Sequence, residues 1–294
     1  MGRSNVAERT PTGAKLAAAL LAALVSALLA FAVFCPAIAD AADEGGGDPS
    51  ANKTVNYDVS KAGKYTNYRI TESGDYRLSG QSNSVSIHVE PQKNAVINIY
   101  LEGNLKIDPD WYGRRGMLNA APAISVGEAE GATVYIITQA GANAYLGGYR
   151  GAAGIRKNGT ATKLVLKTAD SSNPGTLTAV GSSYGSCPGI GVDGGEGTVG
   201  GNIVIESGIV IAHGHDAPGI GCKDDGRTIA NVTIEGGTVT ATGSGGNSAG
   251  IGSGKGGTAR DITITGGTVT ATGAGTGAGI GSGGNGTAKN ISIK

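Results

Sequence analysis

The last quarter of the chain copies itself, and no other feature narrows the possible folds as far. NVTIEGGTVTATG starts at Asn231 and DITITGGTVTATG at Asp261, a shift of 30, while AGIGSG at Ala249 returns at Ala278, a shift of 29. A near-constant period of this length marks stacked units, each burying its apolar face only against its neighbours. Within a unit, apolar and hydroxyl residues alternate in Val232-Thr233-Ile234 and in Thr238-Val239-Thr240-Ala241-Thr242. That period of two belongs to half-buried strands and predicts Val232, Ile234, Val239 and Ala241 pointing inward. Gly236-Gly237 supplies a bend between them, and the glycines around Ile251 and Ile280 frame a third short strand.

The same ladder extends toward the N-terminus. One inward column reads Leu177, Val210, Val239, Val269; a second reads Ala179, Ala212, Ala241, Ala271; the third strand contributes Ile155, Ile190, Ile220, Ile251, Ile280. The strand before the bend adds Leu164/Leu166, Ile203/Ile205, Val232/Ile234, Ile262/Ile264 and Ile291/Ile293. Each column stays apolar and keeps its size, as stacking of parallel strands at about 4.8 Å requires. The expected fold is an all-β, right-handed parallel β-helix with about 30 residues per coil and roughly seven coils, its hand following from the preference of parallel crossovers. Earlier strands are expected within Ile70–Gly80, Val96–Ile107, Ala121–Val126 and Ala132–Thr138.

At the N-terminus Arg3, Arg9 and Lys15 precede an apolar run from Leu16 to Phe34, and Ala37-Ile38-Ala39 offers a small-residue cleavage site. Residues 1–41 therefore read as a secretory signal peptide. The run is also near bilayer-spanning length, the alternative being an uncleaved anchor; Pro36 and the small residues favour cleavage. Cys35 follows Phe34 where lipoprotein signals have a small residue, which argues against lipidation. Residues 42–54 are rich in Gly and acid and read as a disordered linker, with the folded domain spanning 55–294. Removing residues 1–41 takes 23 basic and 23 acidic residues to 20 and 21. A near-neutral chain without a basic stripe or helix argues against nucleic acid as partner and against a membrane beyond the signal segment.

An opening of the type SGDYRLSG, followed by VINIYLEGNLKI, APAISV, a second β pair and NAYLGG at Asn143–Gly148, resembles a family of secreted bacterial β-helix proteins described as carbohydrate-binding. The AGIGSG and GGTVTATG units are similar to repeats of large bacterial surface proteins. The likeness runs from about Tyr68 to Lys294 and rests mostly on fold-forming glycines and aliphatic residues. It implies binding of acidic or plant-type polysaccharide, with calcium as the expected ion, and transfers no catalytic residue.

Two clusters stand out as sites. Trp111, the only Trp, lies beside Tyr112, Arg114 and Arg115, and Tyr145, Tyr149 and Arg150 occupy the corresponding place one coil later. Aromatic faces suit the C–H faces of a pyranose, and guanidinium forks suit hydroxyls or a uronate; the plainer reading is that Trp111 caps the helix or packs a long loop onto its own coil. Aligning Pro188-Gly189-Ile190-Gly191 with Pro218-Gly219-Ile220-Gly221 puts Lys223 level with Asp193 and gathers Asp193, Glu196, Asp224 and Asp225 at one corner. Oxygen donors from neighbouring loops suit Ca²⁺; the plainer reading is solvated turn acids, one of them paired with Lys223. His213 and His215 read as surface loop residues, His213 replacing the outward Val180, Thr242 and Thr272 of other coils. Cys187 and Cys222 fall at different levels of the coil alignment and are expected as free, buried thiols. The outward Thr238/Thr240 and Thr268/Thr270 resemble ice-binding arrays, but Ile209 and Ile211 interrupt them.

Three functions fit these features. The first is a secreted or cell-surface module that binds extracellular polysaccharide without cleaving it. The second is a polysaccharide lyase or hydrolase using Asp193, Glu196, Asp224 and Asp225 with Lys223 or Arg227. The third is a structural stalk or adhesin repeat. Asn290-Ile291-Ser292-Ile293 begins another coil, so further repeats of a longer surface protein are an expected partner.

Overall fold

The computed structural model describes residues 53–110, 120–224 and 226–294; the expected signal peptide, most of the expected linker, and the segment from Trp111 to Asn119 lie outside them. The described chain winds into a right-handed parallel β-helix of three sheets with nine, seven and eight strands. A complete coil visits the sheets in turn. Thr228–Ile234 lies in the first sheet, Thr238–Thr242 in the second and Ile251–Ser253 in the third, after which Thr258–Ile264 returns to the first. The eight strands of the third sheet close eight coils, and Thr287–Ile293 opens a ninth.

The extra coil relative to the expected count comes from short early coils. Thr54 pairs with Asp75, an offset of 21, and Gly74 with Ile97, an offset of 23. The offset then widens to 37 between Val96 and Thr133 and to 39 between Leu164 and Ile203, before settling at 29 and 30. In the first coil the second-sheet strand is replaced by a 3-10 turn, Val59–Lys61, capped by Asp58, whose carboxylate accepts from Ser60 N–H at 3.0 Å. The second sheet therefore begins one coil late, with Gln81–Ser82.

Every inward column read from the sequence is present in register. Leu177, Val210, Val239 and Val269 stack, as do Ala179, Ala212, Ala241 and Ala271. The isoleucine column of the third sheet runs further than the repeat suggests, from Ile87 through Ile124 and Ile155 to Ile280. Val232, Ile234, Val239 and Ala241 are fully buried. Complete burial of each large aliphatic side chain contributes about 2 kcal/mol. Polar members of the columns are satisfied locally: where Val192 and Cys222 are followed by Ser253, the serine hydroxyl donates to Gly257 O at 3.1 Å.

Two backbone devices turn the chain at its corners. Asn202, Asn231, Asp261 and Asn290 occupy equivalent places in four first-sheet strands with φ of 56, 54, 58 and 54°. Each lies between two paired segments of its strand, so Gly201 pairs with Ala230 and Ile203 with Val232 on either side of the bend. Asn and Asp tolerate this left-handed conformation better than other side chains. In the third sheet Gly191, Gly221, Gly252 and Gly281 form a column at φ of 138, 157, 138 and 142°. A Cβ on Gly252 would sit 1.7 Å from Gly281 O, so the coil above could not approach.

This collision can be tested by substitution. Gly252→Ala is expected to destabilise the protein by about 2 kcal/mol or more, while Gly195→Ala, at a glycine where an added Cβ would meet nothing within 4 Å, should leave stability unchanged. Urea unfolding of both variants measures the difference, and equal midpoints would contradict the close-approach argument.

Candidate functional site

The loops joining the second sheet to the third are irregular in length and carry the unusual side chains. They follow the strands Asn143–Gly147, Thr176–Val180, Ile209–His213 and Thr238–Thr242. Isolated antiparallel bridges tie them across coils: Ala121 to Tyr149, Cys187 to His215, and Ala217 to Ser244. The loops thus form a stacked edge of their own.

The expected aromatic platform is divided by this arrangement. Trp111, Tyr112, Arg114 and Arg115 lie outside the described residues. Tyr149 is only 8% exposed and packs with Ala121 and the half-buried Tyr65. Its ring therefore offers no open stacking face, because exchange of two main-chain hydrogen bonds with Ala121, at 2.8 and 3.0 Å, draws it onto the preceding loop. Arg150 stays exposed, with a left-handed φ of 47° and its guanidinium 5.9 Å from the Tyr149 ring centroid. Tyr145 points outward from the second sheet and is half-buried; Lys106 Nζ lies 5.1 Å over its ring and 3.3 Å from Asp108. Burial raises the Tyr145 hydroxyl above its ordinary value, with the nearby Asp108 charge acting in the same direction.

One aromatic residue escapes the sequence patterns that mark the others. Tyr184, in the loop of the coil after Arg150, is 65% exposed. The Ser182 hydroxyl accepts from Tyr184 N–H at 3.1 Å and holds the turn. Ser182 N–H in turn donates to Ala152 O at 3.0 Å, so the Tyr184 loop sits on the Arg150 loop. Matching GGYRG with GSSYG in neighbouring coils is the sequence signal that finds it.

The acidic corner is built differently from a cation site. Asp193 does lie level with Lys223, since Lys223 N–H donates to Val192 O. Its carboxylate is buried and both oxygens are engaged: Oδ2 accepts from Ala153 N–H and Oδ1 from Arg156 Nε, each at 2.7 Å. Asp224 lies 3.6 Å from Arg227, whose guanidinium also donates to Gly194 O and Asp224 O. Glu196 is exposed, and Asp225 lies outside the described residues. Among the described residues no three His, Cys, Asp or Glu side chains gather closely enough to hold a metal ion. The described members of this set do not fit a calcium site.

A second buried charge pair lies nearby. Lys157 has a fully buried side chain and donates to Glu128 at 2.5 Å and to Gly159 O at 2.8 Å. Glu128 reaches across from the preceding coil, and its other oxygen accepts from the N–H groups of Ala161 and Thr162. Burial lowers the Lys157 pKa, and the Glu128 partner opposes that shift. Cys187 and Cys222 are unpaired and buried, and burial pushes both thiols up to about 12.

Comparison with known proteins bears on the scaffold. A family model described as a beta helix repeat matches residues 232–255 and 262–284. No curated protein and no solved structure matches the chain. The matched segments fall in the two most regular coils and contain none of the candidate binding or metal residues, so the match supports the coil architecture and does not bear on a ligand.

Two expectations follow. Glu128→Ala strands a buried ammonium and should cost about 3 kcal/mol in unfolding free energy, whereas Lys157→Met, which fills the same space without a charge, should cost clearly less; the reverse order in chemical denaturation would overturn the role assigned to the pair. Neither cysteine should be alkylated in the folded protein at mildly alkaline pH, and both should react once it is unfolded. Fast modification of the native protein, followed by intact mass, would contradict the burial.

Proposed function

We propose that this chain is a secreted or cell-surface module that binds extracellular polysaccharide without cleaving it. The observation that carries the reading is Tyr184, an aromatic side chain left 65% exposed on the loop stacked against that of Arg150. Exposing a ring in a chain where the other described aromatic residues are at least half covered wastes apolar burial unless something covers it. A pyranose face does so with its C–H bonds, and the exposed Arg150 fork lies one coil away to donate to hydroxyl or carboxylate oxygens. The signal-like N-terminus and the family resemblance point to the same extracellular setting. The described acidic residues have protein partners or lie exposed singly, so binding in this reading does not depend on calcium.

The stacked loops also suit a polymer. Successive coils are about 4.8 Å apart, so side chains on neighbouring loops address successive parts of one extended chain. Affinity electrophoresis of the secreted protein in gels containing soluble polysaccharides tests the proposal. Retention is expected on at least one polymer, unchanged by chelator, and weakened about five- to tenfold by Tyr184→Ala. Retardation insensitive to Tyr184→Ala would sink the ledge as the site. New chain ends in the polymer would replace binding with lyase or hydrolase activity, and absence of retention would favour a stalk or adhesin.

A further inference from the structure

The missing second-sheet strand of the first coil leaves a second feature, apart from the loop edge. Between the 3-10 turn Val59–Lys61 and the strand Gln81–Ser82 opens a cleft of about 360 Å³ lined by Ser60, Gln81, Asn83, Ser84 and Lys106. Its floor is rigid. Gln81 and Ser82 pair with Lys106 and Ile107, and main-chain bonds from Lys106, Asp108 and Asp110 to Gly80, Ser82 and Asn83 fix the rim at 3.0, 3.0 and 2.6 Å. Its volume lies near the lower end of ligand pockets, which run roughly 300–1,000 Å³ and so suit about one or two sugar units here.

The lining is made for hydroxyl groups. The Asn83 side-chain amide is exposed and makes no hydrogen bond among the described residues, so it offers donors and an acceptor together. The Ser60 hydroxyl donates to Asp58 at 2.6 Å and keeps its lone pairs available. Lys106 is the one charged residue of the lining, and it lies 3.3 Å from Asp108. With that ammonium already paired, an anionic ligand gains little over a neutral one. On the far side of Lys106, the Tyr145 ring in the next rung lies 5.1 Å from the ammonium and helps to position it.

We infer that this cleft binds one or two units of a neutral sugar through the Asn83 amide and the Lys106 ammonium. The inference rests on the polysaccharide-binding reading and names a separate subsite within it. It requires neutral over acidic sugars, a preference that the Arg150 edge does not impose.

Isothermal titration of the full secreted chain with cellobiose, lactose and maltose, and with digalacturonate as the acidic counterpart, tests it. At least one neutral disaccharide should bind with an affinity independent of salt and about tenfold above that of digalacturonate. Asn83→Leu and Lys106→Met should each weaken it about five- to tenfold, the worth of a hydrogen bond to a ligand, with thermal midpoints unchanged. Absence of neutral disaccharide binding, equal affinity in both variants, or tighter binding of digalacturonate would overturn it. Polymer retention that depends on Tyr184 and persists without disaccharide binding would remove the cleft alone; loss of both would remove the polysaccharide reading as well.

Discussion

Main-chain hydrogen bonding between successive coils is the interaction on which everything else in this molecule depends. Each strand both donates to and accepts from its neighbours, as Ile190 N–H donates to Gly219 O while Val192 O accepts from Lys223 N–H, so the backbone is satisfied only if every coil lies in register with the next. Register in turn decides which side chains face inward, because a slip of one residue would turn every inward column outward. The valine, alanine and isoleucine columns are the side-chain record of that requirement. The glycines Gly191, Gly221 and Gly252 are its steric record, since a Cβ at any of them would meet the main chain of the next coil.

A core defined only by inward columns leaves the loops free to vary. Long insertions add little closure entropy once the strands on either side are held, and the widest offsets, 37 and 39, fall in the coil from Val96 to Thr133 and in the coil that carries Tyr184, with the coil of Tyr145 and Arg150 between them. The same stretch holds both buried ion pairs, Lys157 with Glu128 and Arg156 with Asp193. Each joins a loop to a residue from another coil, as Glu128 does by accepting from Ala161 and Thr162. Buried charges paired in this way are costly to form and costly to break singly. Their effect here is positional: they hold loops that no regular ladder reaches, and Asp193, by accepting from Ala153 N–H, ties down the loop that carries Arg150.

The regular coils were legible because repetition and alternation are local signals. The placement of Cys187 and Cys222 as free buried thiols was equally readable, since it follows from coil alignment alone. The roles of the loop side chains were not. Tyr149 and Tyr184 lie in neighbouring loops, yet one is covered and the other exposed: Tyr149 meets Ala121 across an antiparallel bridge, whereas Tyr184 falls level with the exposed Arg150. Asp193 lies at the level that alignment predicts, but its carboxylate serves Ala153 and Arg156, residues 40 and 37 positions earlier.

The sequence by itself determined the parallel β-helix, the period of its regular coils, its inward columns and the bends that glycine permits, because each depends on residues adjacent in the chain or one repeat apart. Tertiary structure alone decided which loops touch, which rings and carboxylates are covered, and where a cleft opens beside the 3-10 turn. Those outcomes depend on loops of unequal length meeting across coils. No period encodes that meeting, and only the closed ladder brings it about.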